Sequence, residues 1–65
     1  MKYSINLRMK NPGVAKYLIK TEDTNDHMIA FYLASHMLDS SDKDHFVEIV
    51  DNDSDETIAN FNEDR

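Results

Sequence analysis

This 65-residue sequence has no cysteine, no tryptophan, one glycine and one proline. The missing cysteine excludes disulfides, thiolate zinc sites, redox dithiols and a thiol nucleophile. It fits a reducing cytosol, the compartment we expect. A lone Gly13 cannot build a phosphate-cradling loop, and so little glycine and proline leaves no room for a long linker. Long apolar runs are missing too. The longest, Met28 to Ala34, falls far short of the roughly 18 residues that span a bilayer. The opening MKYSINLRMK alternates polar and apolar residues and lacks the apolar centre of a signal peptide. The expectation is a soluble, cytoplasmic protein with no membrane partner.

Acid is absent from the first 20 residues, which hold Lys2, Arg8, Lys10, Lys16 and Lys20. All 13 acids follow, against only Lys43 and Arg65, for a net charge of −6. An acidic majority repels phosphate, so direct nucleic-acid binding is not expected. Basic and acidic strands lying side by side would partly neutralise each other. The hydrophobic content is 40%, enough for one folded domain over residues 1–62, with 63–65 as a frayed acidic tail. A chain this short buries only about 60% of its unfolded surface, so its core is small.

The pattern of the chain predicts an α+β fold in the order ββαββ. Tyr3, Ile5, Leu7 and Met9 alternate with polar residues as in a half-buried strand. Asn11-Pro12-Gly13 is a turn signal, with Pro presetting φ and Gly accepting positive φ. VAKYLIKTE alternates again, with Lys16, Leu18 and Lys20 on an outer, mostly basic face. Asp23, Thr24 or Asn25 can then cap a helix, with Asp26 in its first turn. HMIAFYLASHML follows, predicting an inward stripe of Ile29, Leu33 and Met37, with Tyr32 and His36 alongside. Asp39 and Asp42 near the helix end oppose its dipole. HFVEIVD and ETIANFN read as a second hairpin, in which Ile58 and Phe61 fall on opposite faces unless a bulge intervenes or the sheet is partly covered on both sides.

These elements predict a four-stranded, mainly antiparallel sheet with one helix packed across one face. Their order and lengths resemble those of small β-grasp-like domains, such as the immunoglobulin-binding domain of streptococcal protein G. That resemblance is topological and implies no function. It implies that the first and last strands are parallel neighbours at the centre of the sheet. A plain meander, with the helix as a crossover, is the alternative.

Three groups of residues are candidates for function. DNDSDE, residues 51–56, begins like a calcium loop, with Asp51, Asp53 and Asp55 at its first, third and fifth positions. Glu56 stands where that loop requires Gly, and Asn62 where it requires the closing Glu. No metal site is therefore expected, and Asp51, Asp53 and Asp55 remain only a weak divalent-cation alternative. The second group is a partner-binding acidic face of Asp39, Asp42, Asp44, Glu48, Asp51, Asp53, Asp55 and Glu56. Carboxylates at phosphate-like spacing can fill the basic groove of a DNA-binding protein. In size and charge the chain is similar to small acidic phage proteins that disarm host nucleases or polymerases. A solvated acidic face that blunts edge strands is the plainer alternative.

The third group is apolar: Met28, Phe31, Tyr32 and Leu38 on the helix, for self-association or partner contact. Leu18, Phe46 and Val50 join them on the reverse of the sheet, because one helix cannot bury every apolar side chain here. The histidines His27 and His36 lie nine residues apart and point in roughly opposite directions on one helix, so they share no metal. His36 is expected at the core edge of the helix. Ser40-Ser41 lacks the context of a nucleophile elbow. The sequence thus predicts a small protein-interaction module without catalysis or cofactor. Its partner would be another protein, one that binds nucleic acid in the sharper form of the reading, or a second copy in a homodimer.

Overall fold

The computed structural model describes residues 1–10, 18–41 and 44–62. The Asn11-Pro12-Gly13 turn signal, Lys16, Asp42 and the tail 63–65 lie outside those residues. The elements are β1 (Tyr3–Met9), β2 (Leu18–Thr24), α1 (His27–Asp39), β3 (His45–Asp51) and β4 (Glu56–Phe61). Four strands form one antiparallel sheet in the order β2-β1-β3-β4, and α1 packs over β1, β3 and β2. The α+β plan is as the patterning predicts.

The strand order is not the one that the β-grasp resemblance implies. β1 pairs antiparallel with β3, Ile5 facing Ile49 and Leu7 facing Val47, and β4 lies at the edge. Nor is it a meander, since β1 separates β2 from β3. Both β2 and β3 run antiparallel to β1, so they run parallel to each other with β1 between them. The helical crossover therefore spans one strand, a split βαβ unit. The pairing also settles the charge asymmetry. It brings Lys2 to Asp51 and Asp53, and Arg8 to Glu48.

Alternation assigns the two faces of the sheet. Tyr3, Ile5, Val47 and Ile49 are buried beneath the helix, with Leu7, Ala59 and Phe61 packed against them. Ser4, Asn6, Arg8, Phe46, Glu48 and Val50 take the opposite face, since successive side chains point to opposite sides. Phe46 is only 1% exposed there and stands outside the core cluster beneath the helix. A bulge in β4 between the pairs Ile49–Ala59 and Val50–Thr57 leaves Ile58 without a partner residue. That extra residue brings Phe61 into phase with the core.

A second bulge corrects the reading of β2. Arg8 faces Leu18 while Leu7 faces Lys20, so Ile19 is the inserted residue. Lys20 therefore passes to the helix side, beside Glu22 at 3.2 Å, rather than to a common basic face with Leu18. β2 is an edge strand, and most of its residues are exposed.

The helix is also turned from its expected orientation. Ala30, Ala34 and Met37 are buried, whereas Ile29 is 48% and Tyr32 68% exposed and His36 is exposed. Two alanines, each 0% exposed, let the helix backbone approach the large Ile5, Val47 and Ile49 of the sheet. Asp26 is the N-cap, its Oδ1 accepting from the backbone N–H of Met28 at 2.8 Å and of Ile29 at 3.2 Å. Asp23, Thr24 and Asn25 serve elsewhere: the first accepts from Ser4, the second from the N–H of Asp26, the third from the N–H of Lys2. At the other end the hydroxyls of Ser40 and Ser41 donate to the carbonyls of His36, Met37 and Leu38. These serines satisfy the unpaired carbonyls of the last helical turn.

Candidate functional site: the acidic end and the outer helix surface

Tyr3 organises one end of the molecule. It faces Thr24 on β2 and Asp51 on β3, and its ring meets that of His27 edge-on at 5.6 Å. The end of β2, the start of α1 and the β3–β4 turn are therefore neighbours. Asp23 and Asp26 join Asp51, Asp53, Asp55 and Glu56 there. In the sequence Asp23 reads as a helix-cap candidate and Asp26 as a first-turn acid, so neither reads as part of an acidic face. Only pairing of β2 and β3 on either side of β1 places them beside the 51–56 turn.

That turn has its own internal order. Asp51 Oδ1 accepts from the N–H of Asp53 at 3.0 Å, as an Asx turn does. Asn52 donates its backbone N–H to the carbonyl of Lys2 at 2.8 Å and its amide to Met1 O and Ser4 Oγ, both at 2.9 Å. Asp55 takes φ 58, the left-handed region that aspartate tolerates better than most residues. Its place in the pattern is thus first a matter of backbone shape.

Lys2 fills the position that a cation would take beside this turn. Its Nζ lies 3.0 Å from Asp53 Oδ2 and 3.6 Å from Asp51 Oδ2, and 5.6 Å from the centre of the Tyr3 ring. The hydrogen bond to Asp53 and the charges of Asp51 and Asp53 raise the Lys2 pKa above its ordinary value, against a smaller opposing effect of desolvation. Among the described residues, no group of three or more His, Asp or Glu side chains gathers to hold a metal ion.

The remaining acidic candidates are spread out. Asp39 closes the helix and Asp44 precedes β3, both exposed and at the far end from the 51–56 turn. β3, seven residues long and ending at Asp51, carries the chain from Asp44 to that turn, roughly 23 Å at ~3.3 Å per residue. Glu48 lies between, half-buried on the helix-free face. Its Oε2 accepts from Arg8 Nε at 2.9 Å and from Asn6 Nδ2 at 2.8 Å, and Asn6 Oδ1 accepts from Thr21 Oγ1 at 3.0 Å. Glu48 is thus part of a cross-strand network and not of an open acidic line.

The apolar candidates divide in the same way. Leu38 is half-buried and packs against the core. Phe31 is 38% exposed, its ring between those of His27 at 5.0 Å and Phe61 at 6.2 Å. Met28 and Tyr32 stand outward at 78% and 68% exposed, the latter stacked on His36. Ile29, not among the predicted contact residues, joins them. Its helical spacing with Leu33 and Met37 predicts a core position, so the sequence pattern does not point to it. Leu18 is exposed, Val50 half-buried and Phe46 buried.

No helix among the described residues is long and apolar enough to cross a membrane. No known protein family, no curated protein and no solved structure matches this chain.

Proposed function

We propose that this chain is a small cytosolic protein-interaction module that performs no chemistry and docks on a basic groove of another protein. One observation carries the reading. The exposed Met28, Ile29 and Tyr32 rise from the first turns of a helix whose N-terminus stands at the acidic end of the sheet. An apolar patch beside carboxylates suits a partner surface of apolar side chains flanked by lysine and arginine. Asp23, Asp53, Asp55 and Glu56 would meet those cations, while the helix residues supply desolvated contact. In its sharper form the module is an inhibitor of phage or prophage type, its carboxylates standing where nucleic-acid phosphates would bind.

Support for a role without catalysis comes from how the polar groups are used. Asn6 and Glu48, the most enclosed of them, are tied into the cross-strand network. Among the described residues no buried side-chain nitrogen or oxygen lacks a hydrogen-bond partner. Among the described residues these buried polar groups serve the sheet, whereas acid–base work draws on a buried, poised group.

The test is competition. A partner captured by this chain should release bound duplex DNA when the chain is added, and capture should weaken steeply with salt. Reversal of Asp53, Asp55 and Glu56 to lysine should abolish capture, and Tyr32→Ala should weaken it without altering the salt dependence. Capture that survives the triple reversal at full strength would overturn the acidic-end reading.

A further inference from the structure

The outer edge of β2 has a property that its sequence shows only once the strand is known to be an edge. We propose that this edge pairs with the same edge of a second copy, joining two four-stranded sheets into one continuous antiparallel sheet across a two-fold axis at Thr21.

Register and charge carry the argument. From Lys20 to Thr24 the strand runs without interruption, with Lys20 and Glu22 on the helix side and Thr21 and Asp23 on the other. Antiparallel pairing keeps directly opposite side chains on the same face. The helices of both copies therefore stay on one face only if residues of like parity oppose each other. Such a register can centre on any residue of this stretch; centring on Asp23 sets aspartate against aspartate, and centring on Thr24 brings no lysine opposite an acid of the strand. Centring on Lys20 sets lysine against lysine, and centring on Glu22 sets glutamate against glutamate. Centring on Thr21 sets Lys20 opposite Glu22 of the second copy, Glu22 opposite its Lys20, and threonine opposite threonine. Opposite charges and threonine pairs directly across strands stabilise, while like charges repel. The edge is self-complementary in one register and self-repelling in its two neighbours.

The flanks point the same way. Leu18 and Ile19 are 47% and 42% exposed at the start of this strand. On α1, Phe31 and Ile29 lie about 100° to either side of Ala30. Phe31 turns toward Phe61 of β4, so Ile29, with Leu33 beside it, takes the flank on the β2 side. Ile29 is 48% exposed, and in the joined sheet it would approach the helix of the second copy. The other edge is less suited. In β4 the bulge at Ile58 divides a six-residue strand, and its only charge, Glu56, has no opposite to meet. The Ile19 bulge instead interrupts β2 near its start and leaves Lys20–Thr24 as the regular stretch, which keeps pairing to a closed dimer of short contact.

This dimer borders the docking surface proposed above at Ile29 and Asp23, but Lys20 and Glu22, which test it, lie outside that surface, as do Met28, Tyr32 and the 51–56 turn outside the β2 edge. Sedimentation velocity over a concentration series should show a reversible monomer–dimer equilibrium. Lys20→Glu alone and Glu22→Lys alone should each weaken the dimer about tenfold, because each creates two like-charge pairs. Mixing the two single variants should restore dimer as a heterodimer, each Glu then facing a Lys, and the Lys20→Glu/Glu22→Lys double variant should also recover. Far-ultraviolet circular dichroism confirms that each variant is folded. A wild-type chain that stays monomeric at every concentration would refute the proposal. So would single variants that dimerise as well as the wild type, or a mixture that gains nothing.

Discussion

Glu48 accepts the Nε–H of Arg8 at 2.9 Å from the neighbouring strand, on the face of the sheet that carries no helix. The same oxygen accepts from Asn6, itself 9% exposed. A single carboxylate thus holds two donors of β1 against β3. Glu48→Ala leaves the enclosed Asn6 amide short of an acceptor, so unfolding free energy should fall by about 1–3 kcal/mol. Glu48→Gln keeps an oxygen acceptor and should cost less. Urea denaturation of both variants measures the difference.

The alanine stripe of α1 makes a second prediction. Ala34 is 0% exposed against the sheet, and leucine there must push the helix off it. Ala34→Leu should destabilise by about 1–3 kcal/mol through overpacking. Tyr32→Ala, on the outward surface, should stay within about 0.5 kcal/mol of wild type. Thermal melts would show the opposite ranking if Ile29, Leu33 and Met37 formed the buried stripe.

Helix capping separates Asp26 from its acidic neighbours. Because Asp26 Oδ1 takes both first-turn N–H groups, Asp26→Ala should cost about 1 kcal/mol. Asp23→Ala removes only an exposed bond to Ser4 and should cost less. The helical signal in a denaturation series reads both.

Stability should depend on Lys2 at alkaline pH. Its pKa is raised above the ordinary 10.5, chiefly by the hydrogen bond to Asp53. A group with a raised folded pKa stabilises fully below its unfolded value and loses that contribution as pH rises through the folded one. The melting temperature should therefore fall from about pH 10.4 upward. Alkali acts on the rest of the chain as well, so the informative quantity is wild type minus Lys2→Gln. That difference should shrink toward zero as pH rises, and a constant difference would show that the ammonium is not the cause.

Calcium should leave the melt of the wild type unchanged, since the Lys2 ammonium already lies against Asp51 and Asp53. Any ligand that binds only the folded chain raises its melting temperature. A clear rise in millimolar calcium, reversed by chelator, would establish a metal site at the turn after all.

The sequence by itself determined the elements and the class of fold, because hydrophobic period and turn chemistry are local. Tyr3, Ile5 and Leu7 alternate whatever lies beside them, and the spacing of Ile58 and Phe61 points to a bulge or a sheet covered on both sides before any partner strand is known. Tertiary structure decided three further matters. It chose β3 as the second neighbour of β1, because that pairing sets Ile5 and Leu7 on Ile49 and Val47 while bringing Lys2 and Arg8 to carboxylates. It turned α1 onto Ala30, Ala34 and Met37, whose two small side chains let the helix come close to a sheet of large ones, and left Ile29 of the expected stripe outside. It also parted the acids that look continuous in sequence, since a seven-residue strand sets Asp44 far from Asp51. The run DNDSDE found its company in Asp23 and Asp26 instead. Strand pairing alone joins residues that far apart in the chain, and no local pattern announces it.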